Sequence, residues 1–221
     1  AWVIENLSVD KAKLQAEERF ASYVDVWEDL AHIGEWTAWT SWLLGNGQPS
    51  ISKNVDSDLW ELRKWLIGRV WPKHYANLKQ SFVNFHRVLN DLQETYRSRM
   101  ISRSDQLWTE KFYQIPEWDE ARYLRLHKQF EDHVDLVQDL TLELTRAGNL
   151  ICDRVRETIF SSYRVSEGHL VVEIGPNEEL KWSRYPPLYS DEEANRPCPY
   201  PGLEAFKTER SKRDRHFGVS E

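Results

Sequence analysis

The sequence predicts a mainly α protein: a long up-down-up three-helix bundle, then a C-terminal β-hairpin and an irregular, proline-rich tail. Three observations predict it. Apolar residues recur at gaps of three and four along three long segments, the repeat of one helix face. Glycine and proline punctuate the chain between those segments. After Gly168 the pattern turns strand-like. The expected organisation is a helical bundle over residues 1–165. Residues 166–221 form a hairpin and tail docked on it, the whole making one structural unit.

The first helix is expected over 8–44, with Ser8 or Asp10 capping its start. Its stripe is Phe20, Val24, Trp27, Ala31, Gly34, Ala38 and Trp42, which assigns Trp42 to the core and leaves Trp36 and Trp39 off the seam. Gly45-Asn46-Gly47-Gln48-Pro49-Ser50 reads as the turn that ends it.

The second helix is expected over 56–100, capped by Asp56-Ser57-Asp58 and kinked at Pro72. Beyond the kink, Tyr75, Leu78, Phe82, Phe85, Leu89, Leu92 and Tyr96 are spaced 3, 4, 3, 4, 3 and 4 apart, a coiled-coil-like heptad seam. Residues 101–115 read as a connection, with a helical turn around 105–108.

Pro116 occupies a favoured first helical position for a third helix over 116–163. It would be about 70 Å long at ~1.5 Å per residue. Its stripe is Leu124, Phe130, Val134, Val137, Leu140, Leu144, Gly148, Ile151, Val155 and Ile159, with Gly148 either a break or a point of close approach. Residues 169–174 and 180–185 read as the two strands of a hairpin turning at Gly175-Pro176-Asn177. An isolated hairpin is marginal in water, so it should dock on the bundle. Residues 186–206 should follow the surface, and 207–216 form a short charged helix that pairs with the acidic first helix.

The chain has 221 residues, enough to bury about 70% of its unfolded surface without a metal or disulfide staple. A 40% apolar and 29% charged composition is that of a soluble protein. The net charge of −7 argues against nucleic-acid binding driven by overall charge, leaving the basic tail 207–216 as the one segment suited to phosphates. Charge is uneven: residues 1–48 carry eight acids and three bases, and residues 49–115 carry eleven bases and seven acids, so neighbouring helices can pair. Cys152 and Cys198 have no paired spacing, and a reducing cytoplasm is the expected setting. No apolar run reaches transmembrane length. Glu5 follows Ala1-Trp2-Val3-Ile4 at once, so no signal peptide is read, and whether 1–221 is a full-length product stays open.

Eleven tryptophans are the compositional outlier. The expected topology collects Trp36, Trp39, Trp42, Trp60, Trp65 and Trp71 at one end, with the Trp182 hairpin nearby. Trp2, Trp108 and Trp118 fall at the other. Trp36, Trp39, Trp60 and Trp65 are therefore the candidate binding residues. They would be covered by the hairpin, by a protein partner or second copy, or by lipid. Arg63, Lys64, Arg69 and Lys73 favour a lipid surface and the acids of the first helix oppose it.

No phosphate loop, dinucleotide fingerprint, HExxH or GxSxG motif is present. Glu28 and His32, and His127 and Glu131, are i,i+4 pairs that could contribute to a metal site. Di-metal bundles, however, need Glu-x-x-His on two helices with further glutamates, so a solvated acidic face is expected, with no metal and no cofactor. Arg69–His74, Arg122–His127, Arg164–His169 and Arg210–His216 each place four to six residues between an arginine and a histidine. This spacing resembles HEPN-type ribonucleases, which are small helical bundles. The resemblance implies a histidine acting as acid or base and an arginine steadying phosphate charge. Arg122, His127, Arg210 and His216 are the candidates, though the polar residue usually found after that arginine is missing. Pro199-Tyr200-Pro201-Gly202-Leu203-Glu204-Ala205-Phe206, with Phe217-Gly218, resembles the linker entering the nucleotide-binding domain of large bacterial signal-transducing ATPases. The phosphate loop that follows in that family is not in this sequence.

These readings lead to two expectations. The first is a non-catalytic interaction or assembly module of a soluble bacterial protein, presenting its tryptophan end or heptad face. The alternative is a helical-bundle ribonuclease or defence effector.

Overall fold

The computed structural model describes residues 2–45, 47–176 and 179–218, with side chains of the first helix described from Asp10 onward. It is mainly helical, 59% helix and 8% strand, with small antiparallel sheets. Trp2's side chain and Asn177, both used in the sequence reading, lie outside the described residues.

The expected first helix is two helices. α1 (Trp2–Leu30) starts before the expected cap and stops at His32, whose φ of 51° and ψ of 48° are left-handed. A 3-10 turn, Ile33–Glu35, leads into α2 (Trp36–Leu43). The break resets the helical phase, and this corrects the tryptophan assignment. Trp36 and Trp39 turn inward, 2% and 5% exposed, while Trp42 turns outward at 54%. Trp36 donates its indole N–H to Thr145 Oγ1 at 3.2 Å and meets the rings of Trp39 and Phe85.

The expected second helix is a helical hairpin rather than a kinked rod. β1 (Ser50–Ser52) leads into α3 (Lys53–Ile67), capped by Ser52 Oγ accepting from Val55 N. Residues 68–75, containing Gly68 and Pro72, reverse the chain. Tyr75, at φ 59°, then starts α4 (Ala76–Arg97). Proline cannot continue the hydrogen-bond ladder, and here it sits in the reversal itself. The antiparallel register is fixed by polar pairs. Arg63 of α3 meets Asn90, Gln93 and Glu94 of α4, and Asp56, two turns earlier, accepts from Tyr96 and Arg97. The heptad seam from Leu78 to Tyr96 is buried within the chain, so it is not a face for a partner.

The connection at 101–115 holds a hairpin, not a helical turn. β2 (Met100–Arg103) pairs with β3 (Gln106–Thr109), and β3 also pairs with β1 to give an antiparallel sheet in the order β1-β3-β2. Register places Trp108 opposite Ser50 on one side and Ile101 on the other.

α5 (Glu120–Thr158) is one unbroken helix, capped by Asp119 Oδ1 accepting from Arg122 N. It runs antiparallel to α4, with Gly148 close to Phe85. A Cβ at Gly148 would meet Leu170 Cδ1 at 2.8 Å, so this glycine marks close approach and not a break. Every residue from 137 to 152 is buried, polar ones included. α5 is thus the axial helix of the molecule, covered on all sides over four turns.

What covers it explains the buried polar groups. β4 (Val172–Ile174) pairs antiparallel with β5 (Ser183–Tyr185), as the sequence indicates, and docks beside α2, with Thr37 Oγ1 donating to Val171 O at 2.7 Å. The tail then crosses α4 and α5 through α6 (Asp191–Ala194), α7 (Leu203–Glu209) and a 3-10 turn at Arg210–Lys212. Buried Tyr200 and Phe206 anchor it, and Tyr200 donates its hydroxyl to Asp91 Oδ2 at 2.7 Å. Its charges meet α5, not the acidic first helix. Arg210 pairs with Asp139, Arg213 donates to Glu143 Oε1 at 2.7 Å, and Arg146 donates to Asp214 Oδ1 at 2.5 Å. Asp139, from the acidic face expected to be solvated, lies with Glu143 in the floor of an ionic row beneath the tail.

Candidate functional site

Most aromatic groups in this chain are covered by its own residues. Among the described residues Trp42, Trp60, Trp118, Phe160 and Trp182 are exposed, and Trp42 lies at the end of the molecule where α2, the β1-β3-β2 sheet and the start of α5 meet. There a cleft of about 570 Å3 is walled by Trp42 and Trp108 on one side and Tyr113, His127 and Phe130 on the other. Local structure places each. The phase reset at His32 turns Trp42 out of α2. The β1–β3 ladder brings Trp108 beside it, with ring centroids 6.5 Å apart and planes at 81°. Thr109 locks that ladder to the preceding loop by donating its N–H and Oγ1 to Pro49 O at 2.9 and 2.8 Å, and Gln48 Nε2 donates to Thr109 O at 2.8 Å. Across the cleft, Tyr113 sits edge-on to both His127 and Phe130 at 4.9 Å. His127 stacks on Tyr123 at 5.6 Å, and Trp118 continues the row at 5.1 Å from Tyr123.

Few charges enter the cleft: Lys111, and Glu131, whose carboxylate lies 3.5 Å from His127 Nδ1. A neighbouring hollow of about 460 Å3 shares Gly47, Phe130 and Glu131 and continues past Val134 and Gln138 to Phe217 of the tail. The two together form a groove along one side of α5.

The chain matches no protein-family model, no curated protein and no solved structure. The site must therefore be read from its own residues.

The four tryptophans read as binding residues fall elsewhere. Trp36 and Trp39 are interior. Trp60, 39% exposed, is stacked by the guanidiniums of Arg63 and Arg97, 4.9 and 4.7 Å from its centroid. Trp65 packs on Tyr23 and carries Arg69 at 4.9 Å. The tryptophans are not gathered at one end: Trp65 and Trp71 lie beside the middle of α1, and Trp42 lies beside Trp108. The cleft residues Trp42, Trp108, Tyr113 and Phe130 were missed. The signal for two of them was an aromatic-rich connection: Trp108, Phe112 and Tyr113 within a few residues suit a covered segment, not a solvated loop.

The histidine candidates separate. His127 lines the cleft, while Arg122, five residues earlier on the same helix, lies about 140° away around its axis at ~100° per residue. Arg210 Nη1 pairs with Asp139 and donates to Phe217 O at 3.3 Å, and His216 is exposed. The four residues weighed for a metal do not meet. Glu28 accepts from Tyr163 and His32 pairs with Asp58 at 2.8 Å, whereas His127 and Glu131 pair with each other near the start of α5. No group of three metal-binding side chains occurs among the described residues.

Two buried groups give opposite pH dependences. Burial raises the Asp139 carboxyl to about 6, against the pull of Arg210. Burial, with Arg99 nearby, lowers the His133 imidazole to about 4. A carboxyl raised in the folded state contributes stability fully present below its unfolded value near 3.8 and lost as pH rises through about 6. A lowered histidine contributes stability fully present above 6.5 and lost as pH falls toward 4. Urea titrations between pH 4 and 7 should show Asp139→Asn losing the first trend and His133→Gln the second. Parallel curves for both variants and wild type would contradict these assignments.

Proposed function

We propose that this chain is a non-catalytic interaction module that receives a partner in the Trp42 cleft. The observation that carries this is Trp42 itself: a large indole, half exposed and set against Trp108 in a walled cleft. Tryptophan and tyrosine anchors in pockets supply most of the energy of protein interfaces. α2, the sheet and α5 carry Trp42, Trp108, His127, Phe130 and Glu131, and the connecting segments carry Gly45, Gly47, Gln48, Lys111 and Tyr113. We further propose a reducing, cytoplasmic setting, which suits the two unpaired thiols. No described helix is long and apolar enough to cross a membrane. The three-helix scheme is replaced in this reading by α1, α3, α4 and α5 in up-down-up-down order, which leaves the sheet end open.

Site-specific photo-crosslinking tests the reading. A benzophenone amino acid at position 42 should yield a discrete adduct in cells, and the same group at Leu14, equally exposed on α1, should not. An adduct of twice the chain mass would identify the partner as a second copy. Equal labelling at both positions, or none at 42, would contradict the proposal.

A further inference from the structure

The reversal between α3 and α4 carries a second exposed surface, separate from the residues that line the Trp42 cleft. Ile67, at the end of α3, is 77% exposed, and Val70, three residues on, is 76% exposed. Side chains this open to water stand on a convex part of the surface. The backbone beneath them is tied down. Tyr23 of α1 donates its hydroxyl to Val70 O at 3.0 Å, and Trp71 turns inward against Phe20, Tyr23 and Phe82. Arg69 Nε donates to Trp65 O at 2.9 Å, with its guanidinium 4.9 Å from the Trp65 ring. Trp60, Lys64 and Ile67 follow one another at gaps of four and three, so all three lie on the exposed face of α3.

Charge is one-sided along this segment. No acid occurs between Glu61 and Asp91, whereas Arg63, Lys64, Arg69, Lys73, Lys79 and Arg87 do, in a chain whose net charge is −7. Arg63 turns to Glu94 and Arg87 to Cys198, which leaves Lys64, Arg69, Lys73 and Lys79 near the reversal. The two acids that adjoin them are both engaged: Glu61 pairs with Lys64, and Glu17 of α1 accepts from Tyr75. The other acids of α1 do not face this way. At ~100° per residue, Asp10, Glu18, Asp25, Glu28 and Asp29 lie about 120° or more around the helix from Tyr23, which packs on Trp71 of the reversal. The acids expected to oppose a lipid surface therefore point away from this one.

The occupant must receive protruding aliphatic groups and positive charge together. The interface of an anionic bilayer does both. Acyl chains take in Ile67 and Val70 without a preformed pocket, and the headgroups attract the bases. Exposed Trp60 and half-buried Trp65, beside them, suit the headgroup level. Nucleic acid offers phosphates and ring faces, which favour aromatic over aliphatic partners. A second copy meeting the same face would set like charges together. An acidic protein would need a hollow shaped to Ile67 and Val70.

We infer that the α3–α4 reversal docks this protein on anionic phospholipid bilayers, through Ile67 and Val70 together with Lys64, Arg69, Lys73 and Lys79.

Flotation of the full chain with phosphatidylcholine vesicles, with and without about one-third phosphatidylserine, tests this. The chain should float with the phosphatidylserine vesicles and not with phosphatidylcholine alone, and added salt should weaken the binding. Two substituted chains probe the two contributions separately. Ile67→Ser with Val70→Ser, and Lys64→Gln with Lys73→Gln and Lys79→Gln, should each lower the partition by about tenfold or more. Leu14→Ser, at an exposed site on the face of α1 opposite Tyr23, should float as wild type does. Equal flotation with both vesicle types, no flotation with phosphatidylserine, or undiminished flotation of either substituted chain would overturn the inference. So would binding of a dT20 oligonucleotide or of polyglutamate that the lysine substitutions abolish while vesicles are ignored, which would assign the surface to nucleic acid or to an acidic protein. None of these outcomes depends on the Trp42 cleft, so the two surfaces stand or fall separately.

Discussion

Replacing Arg213 with methionine should lower the stability of this chain by about 3–5 kcal/mol at pH 7, the cost of breaking a buried ion pair from one side. Glu143 is fully buried on α5, and its carboxylate accepts from Arg213 at 2.7 Å and from the Tyr189 hydroxyl at 2.8 Å. Arg146 lies 3.5 Å away on the same helix, itself 2% exposed and shared with Asp214. Removal of Arg213 leaves the buried anion with Arg146, itself shared with Asp214, as its neighbouring cation. Burial already raises the Glu143 carboxyl, and Arg213 is the largest influence holding it down. The variant's deficit should therefore shrink as pH falls toward the ordinary glutamate value of 4.5 and Glu143 takes up a proton. Adding Glu143→Gln to Arg213→Met should recover part of the loss at pH 7. Chemical denaturation of the three variants at pH 7 and at about 4.5 checks this. A single variant within 1 kcal/mol of wild type would mean that the tail is not clamped to α5 as described.

Trp36→Ala should cost about 3–5 kcal/mol, as large core truncations do, while Trp42→Ala should stay within about 0.5 kcal/mol of wild type. These two tryptophans are six residues apart in one sequence segment, and the contrast depends on the break at His32. An unbroken helix from 8 to 44 reverses it, because there Trp42 shares the stripe of Trp27 and Ala31. In the structure Trp36 is sealed between Thr145, Phe85 and Trp39, whereas Trp42 is 54% exposed and meets the ring of Trp108 at the surface. Thermal denaturation resolves the difference: at this chain length, Trp36→Ala should lower Tm by on the order of 10 °C. Equal losses in both variants would contradict the phase reset.

The sequence was readable where order is local. The seam from Leu78 to Tyr96 and the stripe of α5 from Phe130 to Val155 follow from repeats of a few residues and are buried, whereas Leu124, read into the same stripe, is 59% exposed; the hairpin around Gly175 pairs as read. The break at His32 was hidden by the coincidence that Gly34, Ala38 and Trp42 continue the stripe of α1 by spacing. The competing stripe Trp36, Trp39 and Leu43, which α2 buries, was present in the same residues. The reversal at 68–75 was read as a kink, since a proline marks the interruption without giving its angle. The sheet was not legible because β1 and β3 are more than fifty residues apart and three or four residues long. The ionic row was not legible for the same reason. Asp139 and Glu143 look like a solvated face until Arg210 and Arg213, about seventy residues later, are laid over them. The cleft depends on two of these nonlocal events, the phase reset and the β1–β3 pairing, and so none of its walls could be assembled from sequence alone.

Fluorine NMR of the chain labelled with 5-fluorotryptophan tests the central claim most directly, with each resonance assigned by single Trp→Phe substitution. The account predicts that Trp42 shows a solvent isotope shift and that Trp42 and Trp108 move together when the crosslinked partner is added, while Trp36 and Trp39 show no isotope shift and stay in place. Solvent-sensitive Trp36 and Trp39 resonances, or a crosslinked partner that moves Trp60 and Trp65 and leaves Trp42 unchanged, would contradict it.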